Sequence, residues 1–169
     1  KRAQQYGFNA AKSCEEIFSQ DYLEAADEAG IMIIQEMPFG LSGYVRTTQH
    51  KLEEPWRKFY AREFVGLCKE SRNNASVIAY SMCSEVPLDS GSREAFDLFV
   101  RELPSKSKEL APHALVIDNT GWAGKTKTAK GDRMSDFYAV VIPTWMKEVL
   151  NEKPIVTDGL HPSLLHEYN

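Results

Sequence analysis

The stretch Ser76-Val-Ile-Ala-Tyr-Ser-Met-Cys-Ser-Glu85 constrains this chain more than any other. Its first seven residues are almost all apolar, with the turn-forming Arg72-Asn-Asn74 before it and Pro87 to Gly91 after it. A short apolar run rich in Val, Ile and Tyr reads as a strand buried on both faces. It then ends on a carboxylate. A buried strand with one acid at its C-terminal tip suits an enzyme built on parallel strands, where chemistry sits at strand ends. A second stretch, Pro162-Ser-Leu-Leu-His-Glu-Tyr-Asn169, repeats the pattern: a short apolar run that lands on Glu167.

Between these marks the chain alternates. Lys1 to Tyr6 reads as a helix end stopped at Gly7, and Phe8 to Lys12 as a short strand. Ser19 caps a helix that places Tyr22, Leu23, Ala26 and Ala29 on one face and stops at Gly30. The aliphatic strand Ile31 to Ile34 follows at once and delivers Gln35 and Glu36 before Pro38 turns the chain. Glu54 to Cys68 is a helix with Trp56, Phe59, Tyr60, Phe64, Leu67 and Cys68 on one stripe. Arg93 to about Leu110 reads as a helix that Pro104 kinks or splits. Ala114 to Ile117 is a strand running into Asp118-Asn-Thr-Gly-Trp122, and Gly121 to Arg133 is a solvated loop that includes the Lys125–Lys130 run. Phe137 to Ile142 is a strand, Trp145 to Leu150 a short helix, and Leu164-Leu165 the last strand.

Six strands alternating with helices argue for an α/β fold with a parallel sheet and helices packed outside. No turn carries Gly-x-Gly-x-x-Gly or Gly-x-x-x-x-Gly-Lys, so a doubly wound nucleotide binder is disfavoured and a (β/α)8 TIM barrel is favoured. A complete barrel takes about 250 residues and eight strands. The expectation for 169 residues is a single partial barrel, which begins at Lys1 and reads as an internal piece of something longer.

Composition narrows the partners. Hydrophobic residues make up 43% of the chain, enough for a sizeable core. Acidic residues outnumber scattered basic ones by 24 to 20, which favours neither nucleic acid nor an anionic membrane surface. No apolar run reaches the length of a membrane span. Cys14, Cys68 and Cys83 lack metal-like spacing, and no His, Asp or Glu pair shows ligand spacing, so neither metal nor cofactor is expected. The cysteines read as buried free thiols, and His50, His113 and His161 as surface residues.

Several fragments, in order, resemble the barrel domain of glycoside hydrolase family 2, the β-galactosidases, β-glucuronidases and β-mannosidases. They are Gly7-Phe-Asn9, Tyr22 to Ile31, Gln35-Glu-Met-Pro38, Arg72 to Glu85, Val116 to Trp122 with Ser135-Asp-Phe-Tyr138, and His166-Glu-Tyr168. The resemblance implies barrel strands two to seven and a retaining β-glycosidase. It implies Glu85 as acid/base on strand four and Glu167 as nucleophile on strand seven. Such a pair works at a carboxyl separation of about 5–5.5 Å, one protonating the leaving oxygen while the other attacks the anomeric carbon. Asp158 is the alternative strand-seven acid. The resemblance also implies a carbohydrate substrate, and the remaining barrel strands and flanking β-sandwich domains in a full-length chain.

Around the pair, His166, Tyr138 and Asn119 are candidate donors to the nucleophile. Glu36 reads equally as a sugar-hydroxyl ligand or a salt-bridge partner at its strand end, and Trp122 or Trp145 suits the apolar face of a sugar. Three departures from the family pattern stand out. Ser84 replaces the Asn before the acid/base, Lys12 replaces an Arg, and Glu15 replaces a His three residues on. Serine offers one rotatable hydroxyl in place of a fixed amide, and lysine a point charge in place of a planar fork. These changes would suit the alternative function, a carbohydrate-binding barrel that has lost hydrolysis.

Overall fold

The computed structural model describes residues 2–38, 54–84, 101, 103–120, 135–142 and 163–168. In chain order the elements are α1 (Arg2–Gln5), β1 (Ala10–Lys12), α2 (Gln20–Ala29), β2 (Met32–Glu36), α3 (Glu54–Ser71), β3 (Val77–Ser81), α4 (Leu103–Leu110), β4 (Leu115–Ile117), β5 (Tyr138–Ile142) and β6 (Ser163–Tyr168). All six strands are at the places the apolar runs indicate.

Every strand pairing among the described residues is parallel. β1 to β4 form one sheet in sequence order, and β5 pairs with β6 in a second. Parallel neighbours need a crossover, and α2 supplies it between β1 and β2, α3 between β2 and β3. Residues just before β5 run beside β4: Asp136 N–H donates to the Val116 carbonyl at 2.8 Å, and Val116 N–H donates to Asp136 Oδ2 at 2.8 Å. Lys108 on α4 holds the same carboxylate at 2.7 Å.

Local chemistry sets the helix limits. Ser19 Oγ accepts the Tyr22 N–H at 3.4 Å, satisfying one of the free donors of the first turn. Gly30 closes α2 with φ 67, and its amide bonds back into the last turn, so β2 starts without a linker. α4 begins at Leu103 with Pro104 in its first turn, where a missing N–H costs nothing. Pro104 therefore lies in the opening turn of the described helix. Arg93 to Val100 lie outside the described residues.

The four-stranded sheet has two different faces. One meets the helices: Leu23 and Ala26 of α2, Phe64 and Leu67 of α3 and Leu103 of α4 pack with Ile33, Val77, Tyr80 and Val116. Burying each large side chain here contributes about 1.5–3 kcal/mol. The other face carries a smaller cluster of Ile34, Ala79, Ile117 and Phe137. Between Ile33 and Ile34 the register with β3 slips, pairing Ile33 with Val77 but Ile34 with Ala79. The extra residue, Ile78, lets Val77 join the helix-side core and Ala79 the opposite cluster.

The aromatic stripe of α3 divides along its length. Phe64, Leu67 and Cys68 are buried, whereas Trp56 and Phe59 in the first turns stay 48% and 40% exposed. Their rings meet edge-on at 6.1 Å, shielding each other in place of the sheet. On α2 the same holds for Tyr22, which stacks on Phe18 and stays exposed.

Candidate functional site

Segments at the C-terminal ends of β1, β2 and β4 meet at one carboxylate. Glu36 is the last residue of β2 and shares the strand face of Ile34, one step above the small apolar cluster. It is 0% exposed. Lys12, ending β1, reaches its Oε2 at 2.8 Å, and Thr120, beyond β4, donates its hydroxyl to the same oxygen at 2.5 Å. The Glu15 amide donates to Oε1 at 2.9 Å. Ser13 Oγ accepts the Glu36 backbone N–H at 2.7 Å.

A charge removed from water this completely survives only with a counter-charge and further donors. The loop after β1 supplies one such donor at a cost. Glu15 adopts φ 53, a left-handed conformation that non-glycine residues seldom take, and its N–H is aimed at Glu36. The neighbouring Gln35, of opposite parity on β2, is equally buried but turned to the Phe18 backbone, which it meets as acceptor at 3.1 Å and donor at 3.4 Å.

β3 and β4 are joined beyond their regular ladders. Ser84 and Thr120 form a parallel bridge, and the Thr120 N–H donates to the Cys83 carbonyl at 3.0 Å. The Ser84 and Thr120 hydroxyls lie 3.3 Å apart. Cys83 is fully enclosed: its thiol reaches the Asp118 carbonyl at 2.8 Å, and burial pushes its pKa well above the ordinary thiol value. Asp118 Oδ1 accepts from Ser135 Oγ and from the Asn119 N–H at 2.9 Å, fastening the β4 exit to the segment before β5.

Of the residues singled out from the sequence, Lys12, Glu36, Ser84 and Asn119 stand together at these strand ends. Tyr138 is the first residue of β5, while His166 and Glu167 lie in β6, with Glu167 in register with Val141. Glu85, Trp122, Trp145, His50, Asp158 and His161 lie outside the described residues. Tyr80 packs on the helix side and its hydroxyl lies 3.1 Å from that of Ser71. Burial pushes its phenol up to about 12.

Thr120 is the member that sequence reasoning missed. Its only signal was position, three residues past the end of an apolar run. Among the described residues no group of three or more His, Cys, Asp or Glu side chains is placed to hold a metal ion, and no helix is long and apolar enough to cross a membrane.

This architecture is shared with solved β-glucuronidases. That of Dictyoglomus thermophilum superposes with a TM-score of 0.65 over 86% of this chain at 21% identity, covering 25% of its own chain. The enzyme of an uncultured Clostridium sp. gives 0.63 over 83% of this chain at 19% identity, covering 23% of its own. A Ruminococcus gnavus β-glucuronidase in complex with D-glucaro 1,5-lactone gives 0.62 over 83% at 18% identity, covering 24% of its own. The chain thus spans about a quarter of the length of each. No family model and no curated protein matches the sequence. At these identities the likeness is one of fold, and the chain shares the fold of the matching quarter of these β-glucuronidases.

Proposed function

We propose that the chain forms strands two to seven of the (β/α)8 barrel of a retaining β-glycosidase, with β1 to β6 as those strands in order. The observation that carries this reading is the Ser84–Thr120 bridge, which sets the residue before Glu85 at the C-terminal edge of a parallel sheet, beside Glu36 and Lys12. Glu85 is the acid/base and Glu167 the nucleophile. In the first step Glu167 attacks the anomeric carbon while Glu85 protonates the departing oxygen. In the second, water deprotonated by Glu85 releases the sugar. Glu36 has the role of a fixed counter-charge: with three donors on its two oxygens, it orients Lys12 and Thr120 at the rim. Asn119, Tyr138 and His166 are assigned to the sugar and to the nucleophile, and Trp122 to the sugar face.

β-Glucuronides are the first substrates to try, because the similar structures are β-glucuronidases and one of them holds a glucaro-lactone. The experiment uses the full-length protein and a panel of aryl β-glycosides. Glu167→Gln should abolish turnover. Glu85→Ala should keep glycosylation of substrates with good leaving groups but stall at the second step. Azide should then accelerate it and yield a β-glycosyl azide, since a small anion attacks the intermediate without a general base. Sugar binding without hydrolysis across the panel would establish a carbohydrate-binding barrel instead.

A further inference from the structure

The far edge of β4 is met by side chains where a strand would ordinarily lie. The Ile117 carbonyl accepts the Met82 N–H at 3.0 Å, so Ile117 turns its backbone toward β3. Val116 and Asp118, of the opposite alternation, turn theirs away. Both outward amides are taken by consecutive residues: Val116 N–H donates to Asp136 Oδ2 at 2.8 Å, and Asp118 N–H to Ser135 Oγ at 2.9 Å. The Ser135 hydroxyl gives its own proton to Asp118 Oδ1, closing a two-bond clasp between residues 17 apart in the chain. Asp118 is 0% and Ser135 5% exposed. Phe137, next but one, packs on Ile34, Ala79 and Ile117. Among the described residues no ladder joins β4 to β5. The clasp, the Asp136 bonds and the Phe137 contacts therefore tie the β5–β6 pair to the four-stranded sheet. Of the two polar links, the Lys108–Asp136 ion pair is about a third exposed and screened by water, whereas the Ser135–Asp118 clasp is buried and charge-assisted.

We propose that Ser135, through its clasp on Asp118, sets the separation of the two reacting carboxyls and so is a positioning residue of the site. On one side Asp118 lies two residues before Thr120, whose bridge to Ser84 fixes the residue preceding Glu85. On the other, Ser135 lies three residues before Tyr138, the start of β5, and the β5–β6 ladder sets Val141 in register with Glu167. Every other step along this path is covalent chain or backbone pairing. Slack enters most readily where the ladder is missing, at Asp118 and Ser135. A retaining pair works at about 5–5.5 Å, and a misplacement of about 1 Å costs up to about 100-fold in rate. The roles of Glu85 and Glu167 rest on the glycosidase reading, whereas the clasp itself does not.

The test is single-turnover kinetics of the full-length protein, held in excess over the aryl β-glycoside it cleaves fastest. Affinity is read separately from the matching thioglycoside. Ser135→Ala removes the clasp, and the first-order rate constant for glycosylation should fall by about 10- to 100-fold. The thioglycoside should still bind within about threefold of the parent, since the loss is confined to the reacting geometry. Misfolding reads differently: an inactive fraction lowers the amplitude and leaves the rate constant alone. Asp118→Asn keeps an acceptor oxygen but not the charge, and its rate constant should fall between those of the parent and Ser135→Ala. Combining the two substitutions should be no slower than Ser135→Ala alone, because both act on one contact. Should Ser135→Ala give no folded protein, Asp118→Asn decides alone: slower glycosylation at unchanged affinity supports the inference, and a parent-like rate constant overturns it. A parent-like rate constant in Ser135→Ala, a loss of amplitude alone, or an equal fall in rate and affinity overturns the inference and leaves the glycosidase reading standing. A parent that hydrolyses none of the panel overturns both.

Discussion

The Lys12 ammonium and the Glu36 carboxylate meet at 2.8 Å across the ends of β1 and β2, with the carboxylate wholly inaccessible and the lysine side chain 12% exposed. The pair is asymmetric. Lysine can still reach water along a flexible stem, whereas the glutamate cannot. Which partner is removed should therefore matter.

Lys12→Met leaves a buried carboxylate with two neutral donors and no counter-charge, and should destabilise the protein by about 3–5 kcal/mol. Replacing both, as Lys12→Met with Glu36→Leu, removes the stranded charge and should recover a substantial part of that loss. Urea denaturation of the full-length variants checks this. A double variant as unstable as the sum of the single ones would show that the pair is not coupled.

Asp27 predicts an acid-side signature. Partial burial pushes its pKa up, but hydrogen bonds from the Ser76 side chain, Asn74 and the Ser76 amide outweigh it and hold the carboxyl below its ordinary 3.8. The Ser76 N–H lies 2.6 Å from Oδ1 and the Asn74 amide 2.9 Å from Oδ2. A depressed folded value means the stabilisation is present above pH 3.8 and is lost as pH falls through the lower folded value. Asp27→Asn should therefore be less stable than the parent near neutrality, by about 1 kcal/mol. The gap should close below the ordinary aspartate range. Stability curves of both proteins against pH measure this.

The three thiols should differ sharply in reactivity. Cys14 is exposed, while Cys68 and Cys83 are buried. Burial pushes Cys68 up to about 12, with a partly offsetting bond to Ser107, and Cys83 well above the ordinary value. Alkylation of the native protein followed by peptide mass mapping should label Cys14 alone, and all three after unfolding. Rapid native labelling of Cys83 would contradict the closed β3–β4 end.

Gly30→Ala tests the αL stop of α2. An added Cβ would meet nothing within 4 Å, so the cost is that of φ 67 alone, about 1–2 kcal/mol. Thermal or urea unfolding should show that loss with no change in slope against denaturant.

What could be seen in the sequence follows from how local each cause is. Ser19 and Gly30 act within one turn, and the strands are runs of Ile and Val long enough to identify themselves. The parallel pairing followed from the alternation of strands with helices. Glu36 stood equally as sugar ligand or ion-pair partner, because the deciding atoms belong to Lys12, Glu15 and Thr120 on other segments. Thr120 gave no local sign, since a threonine past a strand is ordinary until the partner 84 residues away is known. The stripe on α3 identified the helix, but helical spacing says which residues share a face, not how deeply each is buried along it. Pro104 stands in the first turn of α4, where a split helix would restart, and the residues that would carry the earlier half lie outside the described ones.

The separations around Glu36 also impose an order of assembly. Its bonds to Lys12 and Glu15 close spans of 24 and 21 residues, and its bond to Thr120 closes 84. Longer closures forfeit more chain freedom, and a nascent chain leaving the ribosome N-terminus first has β1 and β2 in hand well before β4. The carboxylate would thus acquire its cation and its amide early, and its hydroxyl only when β4 docks. The full set of partners on Glu36 is then among the last features of the sheet to appear, and a newly made chain could be compact before its buried carboxylate is fully satisfied.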